Sequence, residues 1–239
     1  MDKHQNLSAL QEAWSTCQGC MLCHERRAVV FGYGNPDAQI LVVGEAPGAN
    51  EDREGVPFVG QAGQLLDQFL TLVSVDPQLA SFAEKEEYPA TALREALLHY
   101  IYYTNVVCCR PPENRDPTPG EIETCRSRLH EIIYTVDPLL IIGIGRISAE
   151  ALLGKKVTIT QRRGDIVDIE IPGRVTPVRY PLLIVLHTSY LLRVNDFNQA
   201  GGMAEKTFND FLLAHRIVDE YNWLHYGIPH PKDRPKENV

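Results

Sequence analysis

Four short apolar runs, at 39–44, 102–107, 139–143 and 182–186, constrain the fold of this chain more than any other feature. They are rich in Val, Ile and Leu without polar alternation, the pattern of strands covered on both faces. Segments of helical spacing separate them. Residues 61–73 carry Leu65, Leu66, Phe69 and Leu72 on one side, and 121–136 and 147–153 come after the second and third runs. The alternation predicts an α/β fold: a three-layer α/β/α arrangement around a central four-stranded parallel sheet with right-handed crossovers. Ligands of such sheets bind beyond the carboxyl ends of the strands. Chemistry is therefore expected in the residues just after each run.

Residues 75–100 exceed the needs of a simple crossover and are expected to hold a helix over 89–100, with another over 204–221. Gly143-Ile-Gly145 opening a helix is a faint dinucleotide fingerprint. Ser148 stands where its third glycine belongs, so tight strand-to-helix packing is the better reading. No apolar run is long enough to cross a bilayer, so no membrane partner is expected. The net charge of −8 argues against general coating of nucleic acid but leaves room for a local basic surface. Arg110, Arg115, Arg126 and Arg128 cluster in one region, with Arg162, Arg163 and Arg193 further on. Against this stands the plain alternative that they are solvated or paired with the many acids.

Six cysteines include two spaced pairs, Cys17-x-x-Cys20 and Cys109 with Cys125, the second bracketing a loop that begins Cys109-Arg-Pro-Pro-Glu-Asn-Arg. Four thiolates can hold a zinc ion or an iron–sulfur cluster, and spacing alone does not choose. Disulfides are the weaker reading, because the N-terminal residues do not resemble a secretory signal and cytoplasmic thiols stay reduced. Cys23 and Cys108 are spare, though either would serve in a different ligand register.

Three of the four strand ends carry suggestive residues. After the first come Gly44-Glu45-Ala46-Pro47-Gly48 and Gly55-Val56-Pro57-Phe58-Val59-Gly60-Gln61-Ala62-Gly63. Two glycine-rich turns bring backbone amides close to an occupant of the crevice, with Ala46 and Gly48 among them. Glu45 sits one residue past the strand, placed to point inward. Asn105 lies among apolar residues, and a buried amide needs partners. His187 opens His187-Thr188-Ser189-Tyr190-Leu191-Leu192-Arg193. Taken singly, each has a bland reading: a solvated acid, a packed ring, a capping amide, a structural histidine.

Together these motifs resemble family 4 uracil-DNA glycosylases, from about Cys17 to Arg193. The family pattern reads Gly-Glu-x-Pro-Gly, Pro-Phe-Val-Gly-x-Ala-Gly, Asn-Val-Val-x-Cys-Arg-Pro-Pro and His-Pro-Ser-Tyr-Leu-Leu-Arg, in that order. The resemblance implies a glycosylase domain, assigned to 1–226 with an N-terminal cysteine arm, while the proline-rich, charged composition of 227–239 is expected to make a flexible tail. It implies a [4Fe-4S] cluster on Cys17, Cys20, Cys109 and Cys125. It implies a monomeric cytoplasmic enzyme of base-excision repair acting on uracil-containing DNA, single- or double-stranded. Phe58 would stack on a flipped uracil and Asn105 would read its edge, while His187 would donate to O2 and Glu45 would orient water. Arg110, Arg115, Ser189, Leu191, Leu192 and Arg193 would meet the DNA, the two leucines as wedges. One departure is Thr188, where the family has proline, so that stiffness beside the DNA is expected to be lost. The rival reading is a superfamily member that binds DNA or a deaminated base without excising it. An electron-transfer protein would leave Asn105 and His187 without a task.

Overall fold

The computed structural model of the chain describes residues 2–72, 90–173 and 175–226. The predicted tail over 227–239 and most of the long segment over 75–100 lie outside them. Six strands form one sheet: β1 (Tyr33–Gly34), β2 (Ile40–Gly44), β3 (Ile101–Asn105), β4 (Leu140–Ile144), β5 (Ile166–Ile171) and β6 (Val178–Val185). Their order is β1-β3-β2-β4-β6-β5. The four apolar runs supply the inner strands, parallel to one another. The expected sheet of four parallel strands is corrected to a mixed sheet of six, because β1 and β5 add antiparallel edges.

Nine helices are described: α1 (Lys3–Ser15), α2 (Ala49–Glu54), α3 (Gln61–Leu72), α4 (Ala90–Leu97), α5 (Pro119–Val136), α6 (Gly145–Leu153), α7 (Ile159–Arg162), α8 (Thr188–Val194) and α9 (Met203–Tyr226). Alternate residues of the inner strands enter two separate cores. Leu41, Val43, Ile141, Leu182 and Ile184 pack with residues of α5 and α6, and Leu7 of α1 joins the same core. Val42, Tyr103, Ile142, Leu183 and Val185 pack with residues of α3, α4 and α9. Both faces are covered, which explains why the runs do not alternate.

Local chemistry fixes the helix that carries Cys125. Thr118 caps α5, its Oγ1 accepting from the Glu121 N–H at 3.3 Å while its own N–H donates to Glu121 Oε2 at 2.8 Å. Pro119 follows at the first helical turn, where its missing N–H costs nothing. Among the described residues, no helix is long and apolar enough to cross a membrane.

Candidate active site

The carboxyl ends of the inner strands open into a cleft of about 600 Å³. Glu45, Ala46, Gly48, Phe58 and Asn105 line one part of it, and Arg115, His187, Ser189 and Arg193 another. Gly44, the last residue of β2, lies opposite Asn105 in the parallel register. A Cβ on Gly44 would stand 2.3 Å from Asn105 Oδ1 and 2.6 Å from Phe58 Cζ. Only a bare backbone lets the amide and the ring converge there.

Phe58 is held in place at some cost. Its φ of +58° lies in the left-handed region, which few non-glycine residues enter. Such strain costs about 1–3 kcal/mol and persists where the surroundings impose it. Arg94 imposes it here: Nη2 donates to the Pro57 carbonyl at 2.6 Å and Nη1 to the Phe58 carbonyl at 3.0 Å. Arg94 is itself fixed by Asp67 at 3.1 Å and by the Tyr103 ring, whose centroid lies 4.4 Å away. The Tyr103 hydroxyl donates to Asp67 at 2.9 Å, and its ring packs 5.7 Å from Phe58. Glu51 joins the two glycine-rich turns, accepting from the Gly48 N–H at 3.0 Å and the Gly60 N–H at 2.7 Å.

His187 caps α8. Its Nδ1 accepts from the Ser189 N–H at 3.1 Å, which leaves the proton of the neutral ring on Nε2. Burial, aided by the charge of Arg193, pushes its pKa down to about 4. The ring is therefore a neutral donor at physiological pH. Gly145 makes room for it: with φ +87°, a Cβ there would come within 3.0 Å of His187 Cβ. The glycine of the faint dinucleotide pattern thus serves packing against the histidine.

Glu45 is half-buried. Burial first, then the charge of Asp116, pushes its carboxyl up to about 7, and Arg146 pulls the other way. Asp116 and Arg146 both line the cleft and pair at 2.6 Å.

Thr188 does not leave the segment slack, contrary to the expectation from the missing proline. It is fully buried, and its Oγ1 donates to the Ala62 carbonyl at 2.7 Å, tying α8 to the start of α3. One hydrogen bond replaces the restriction a pyrrolidine ring would supply. Thr188→Val is expected to lower stability by about 0.5–1.5 kcal/mol, the worth of one such bond, read as a lower melting temperature. Thr188→Ser, which keeps the hydroxyl, should melt close to the parent.

Of the six cysteines, Cys108, Cys109 and Cys125 are buried. The Cys108 sulfur lies 3.9 Å from each of the other two, so the residue that seemed spare stands between two expected ligands. Arg26 Nη1 donates to Cys109 Sγ at 3.2 Å, while its Nη2 donates to the Cys17 carbonyl at 2.6 Å. This bridges the two ends of the sequence pattern. Cys109 is shifted toward the thiolate by Cys108 and by Arg26, against burial. Cys20 is pushed up by burial, with Cys125 and Cys17 as like-charged neighbours. Among the described residues, no three His, Cys, Asp or Glu side chains converge closely enough to hold a single metal ion. The donor chemistry nevertheless fits a thiolate-bound cluster, which spreads its ligands wider than one ion does. Cys20 feels the charges of Cys125 and Cys17, and Cys109 that of Cys125, a repulsion between thiolates that a bound cationic centre would relieve.

The model of the uracil DNA glycosylase superfamily matches residues 31–212. The chain belongs to the uracil DNA glycosylase superfamily. It is similar to the type-4 uracil-DNA glycosylase of Thermotoga maritima, 35% identical over 85% of this chain and 97% of that one. It is also similar to the type-4 enzyme of Pyrobaculum aerophilum, 35% identical over 79% of this chain and 85% of the relative. That of Archaeoglobus fulgidus is 31% identical over 82% and 94%.

As a uracil DNA glycosylase superfamily member, the chain was expected to meet DNA through six further residues, and the structure sorts them. Ser189 and Arg193 stand together at the cleft, with Nη1 of Arg193 3.3 Å from Ser189 Oγ. Leu192 is 39% exposed, but Leu191 is 0% exposed and packs in the core of α3 and α9. Leu191 is corrected from wedge to core residue. Arg110 donates to Asn114 Oδ1 at 2.8 Å, and Arg115 forms a two-pronged pair with Glu121 at 2.7 and 2.9 Å. The Arg115 guanidinium, with the Thr118 N–H, holds Glu121 down to about 2. Gly44, Glu51, Arg94, Asp116 and Arg146 are additions that the sequence reading did not single out.

Proposed function

We propose that this protein is a monofunctional uracil-DNA glycosylase that hydrolyses the N-glycosidic bond of uracil in DNA, as the names of its type-4 relatives suggest. The convergence of Phe58 and Asn105 on the missing Cβ of Gly44 carries this reading. Both line the cleft and bring an aromatic ring and an amide to one place, groups suited to a planar base turned out of the stack.

In that cleft the Phe58 ring stacks on the base, worth about 1–3 kcal/mol by analogy with other base–aromatic contacts. The Asn105 amide meets both O4 and N3–H, a donor and an acceptor in one group, while cytosine presents the reverse pattern. Cleavage of N1–C1′ leaves negative charge on the base and cationic character on the sugar. His187 Nε2–H is the donor for the developing charge on O2, and Glu45 orients the water and stabilises the sugar. Ser189 and Arg193 hold the backbone beside the flipped nucleotide.

The cysteines extend the proposal. Cys17, Cys20, Cys109 and Cys125 would hold a [4Fe-4S] cluster, and these four ligands would brace the N-terminal arm against the loop after β3. Hydrolysis transfers no electrons, so its contribution is structural. The neighbouring thiols and the Arg26 bridge support this.

A uracil-containing single strand, incubated with the protein and then treated with alkali, tests the reading. Strand scission is expected. Gel retardation without scission would favour the non-excising module instead. Base choice offers a second measurement. Asn105→Asp is expected to lower uracil excision about 10- to 10²-fold, because the uracil O4 loses its donor and stays unpaired. The variant's carboxylate accepts from an amino group, so cleavage at cytosine should rise relative to uracil in a mixed-substrate assay. Unchanged uracil excision would show that recognition lies elsewhere.

A further inference from the structure

We propose that Arg94 is a positioning residue for uracil recognition, presetting the Phe58 ring as a stacking wall before any base arrives. The inference rests on the excision reading above and deepens it.

Asp67, Arg94 and Tyr103 come from three elements, α3, α4 and β3. None of them lines the cleft, so their effect on a bound base must pass through a residue that does. They close on one another. Asp67 accepts from Arg94 Nη1 at 3.1 Å and from the Tyr103 hydroxyl at 2.9 Å, and the guanidinium lies over the Tyr103 ring. Tyr103 is fully buried, and the Asp67 and Arg94 side chains are nearly so. A carboxylate already answers the cation, which a purely structural ion pair would also achieve.

The guanidinium fork does more. Nη2 donates to the Pro57 carbonyl and Nη1 to the Phe58 carbonyl, the two peptide units on either side of the Phe58 Cα. Holding both units fixes both φ and ψ of Phe58, and with them the direction of its ring. Gly63 closes the other side: a Cβ there would lie 1.9 Å from the Phe58 carbonyl oxygen, so the first turn of α3 seats against the same peptide. Tyr103 precedes Asn105 by two residues on β3, which puts both on one face of the strand, and its ring packs against Phe58. One assembly therefore sets the stacking ring relative to the recognition amide. Without the fork, Phe58 is released toward the negative φ that most residues prefer, and the base must itself order the ring.

A double-mutant cycle tests this. Arg94→Met is expected to slow single-turnover uracil excision and to weaken inhibition by free uracil, each about 10-fold. That lies within the roughly 5- to 150-fold that stacking of one base is worth. Affinity for uracil-free DNA should stay at the parent value. In a Phe58→Gly background, which removes the ring and its strain together, Arg94→Met should add less than about 2-fold. Arg94→Lys keeps a charge beside Asp67 but loses the fork, so it should restore the melting temperature and leave inhibition by uracil weak. Equal losses from Arg94→Met in both backgrounds, or a lysine variant that restores both readouts, would overturn the proposal and leave Arg94 a structural ion pair. Should Arg94→Met fail to fold, Arg94→Lys takes its place in the cycle. A parent that excises no uracil would remove the function reading, and the proposal with it.

Discussion

Replacing His187 with alanine is expected to slow single-turnover uracil excision by about 10²–10³-fold, the usual loss when one preorganised donor to a developing anion is removed. DNA binding should change far less, because the bond strengthens only as charge builds on O2. The ring is well prepared for that task. Its Nδ1 is occupied by the Ser189 N–H, and its pKa of about 4 keeps it neutral through the physiological range. Donation from a neutral ring needs no protonation, so the rate should show no basic limb between about pH 5 and 8 from this residue. Alanine also removes the cap of α8, a loss of about 0.5–2 kcal/mol in stability. His187→Asn separates the two effects. Its side chain caps well, so the melting temperature should recover while the shorter amide leaves excision slow. Recovery of both would assign His187 to capping alone.

The inner strands were legible because burial on both faces writes an unbroken apolar run. The edges were less so. β1 is two residues long, and β5, Ile166-Val-Asp-Ile-Glu-Ile171, alternates as a half-covered edge does. That period-two signal was available and differs in kind from the four inner runs. The site motifs were legible as residue types but not as directions. Leu191 and Leu192 are neighbours in sequence, yet on a helix they point about 100° apart. One enters the core and the other meets solvent.

Arg128 was read among surface arginines by composition. Its position on α5 tells otherwise, since Cys125, Leu129, Ile132 and Val136 share the buried face with it. Phe58 gave no sign of its positive φ. That conformation depends on Arg94, a residue far along the chain. Thr188 shows the limit of motif comparison: a missing proline suggested slackness, whereas its hydroxyl found the Ala62 carbonyl. Contacts between distant segments decide such questions, and local patterns do not record them.

Glu45 should set the acid limb of the reaction. To orient water and stabilise a sugar cation the carboxyl must be ionised, and burial together with Asp116 has raised its pKa to about 7. Excision is therefore expected to rise with pH up to about 7 and then level off. Each neighbour moves that limb in a stated direction. Asp116→Asn removes a repelling charge and should shift it to lower pH, and Arg146→Met removes a stabilising charge and should shift it higher. Glu45→Gln should abolish the limb and slow the plateau, with Glu45→Ala slower still. The same shift has a consequence for stability. The folded chain holds this proton more tightly than the unfolded chain, whose carboxyl titrates near its ordinary value of 4.5. Stability should thus fall as pH rises from about 4.5 to 7, with the full cost of the ionised group present above that window. Glu45→Gln should accordingly melt higher than the parent at pH 8 and level with it at pH 4, while being the slower enzyme at pH 8. A variant that gains no stability at pH 8 and keeps the parent's acid limb would show that another group titrates in the cleft.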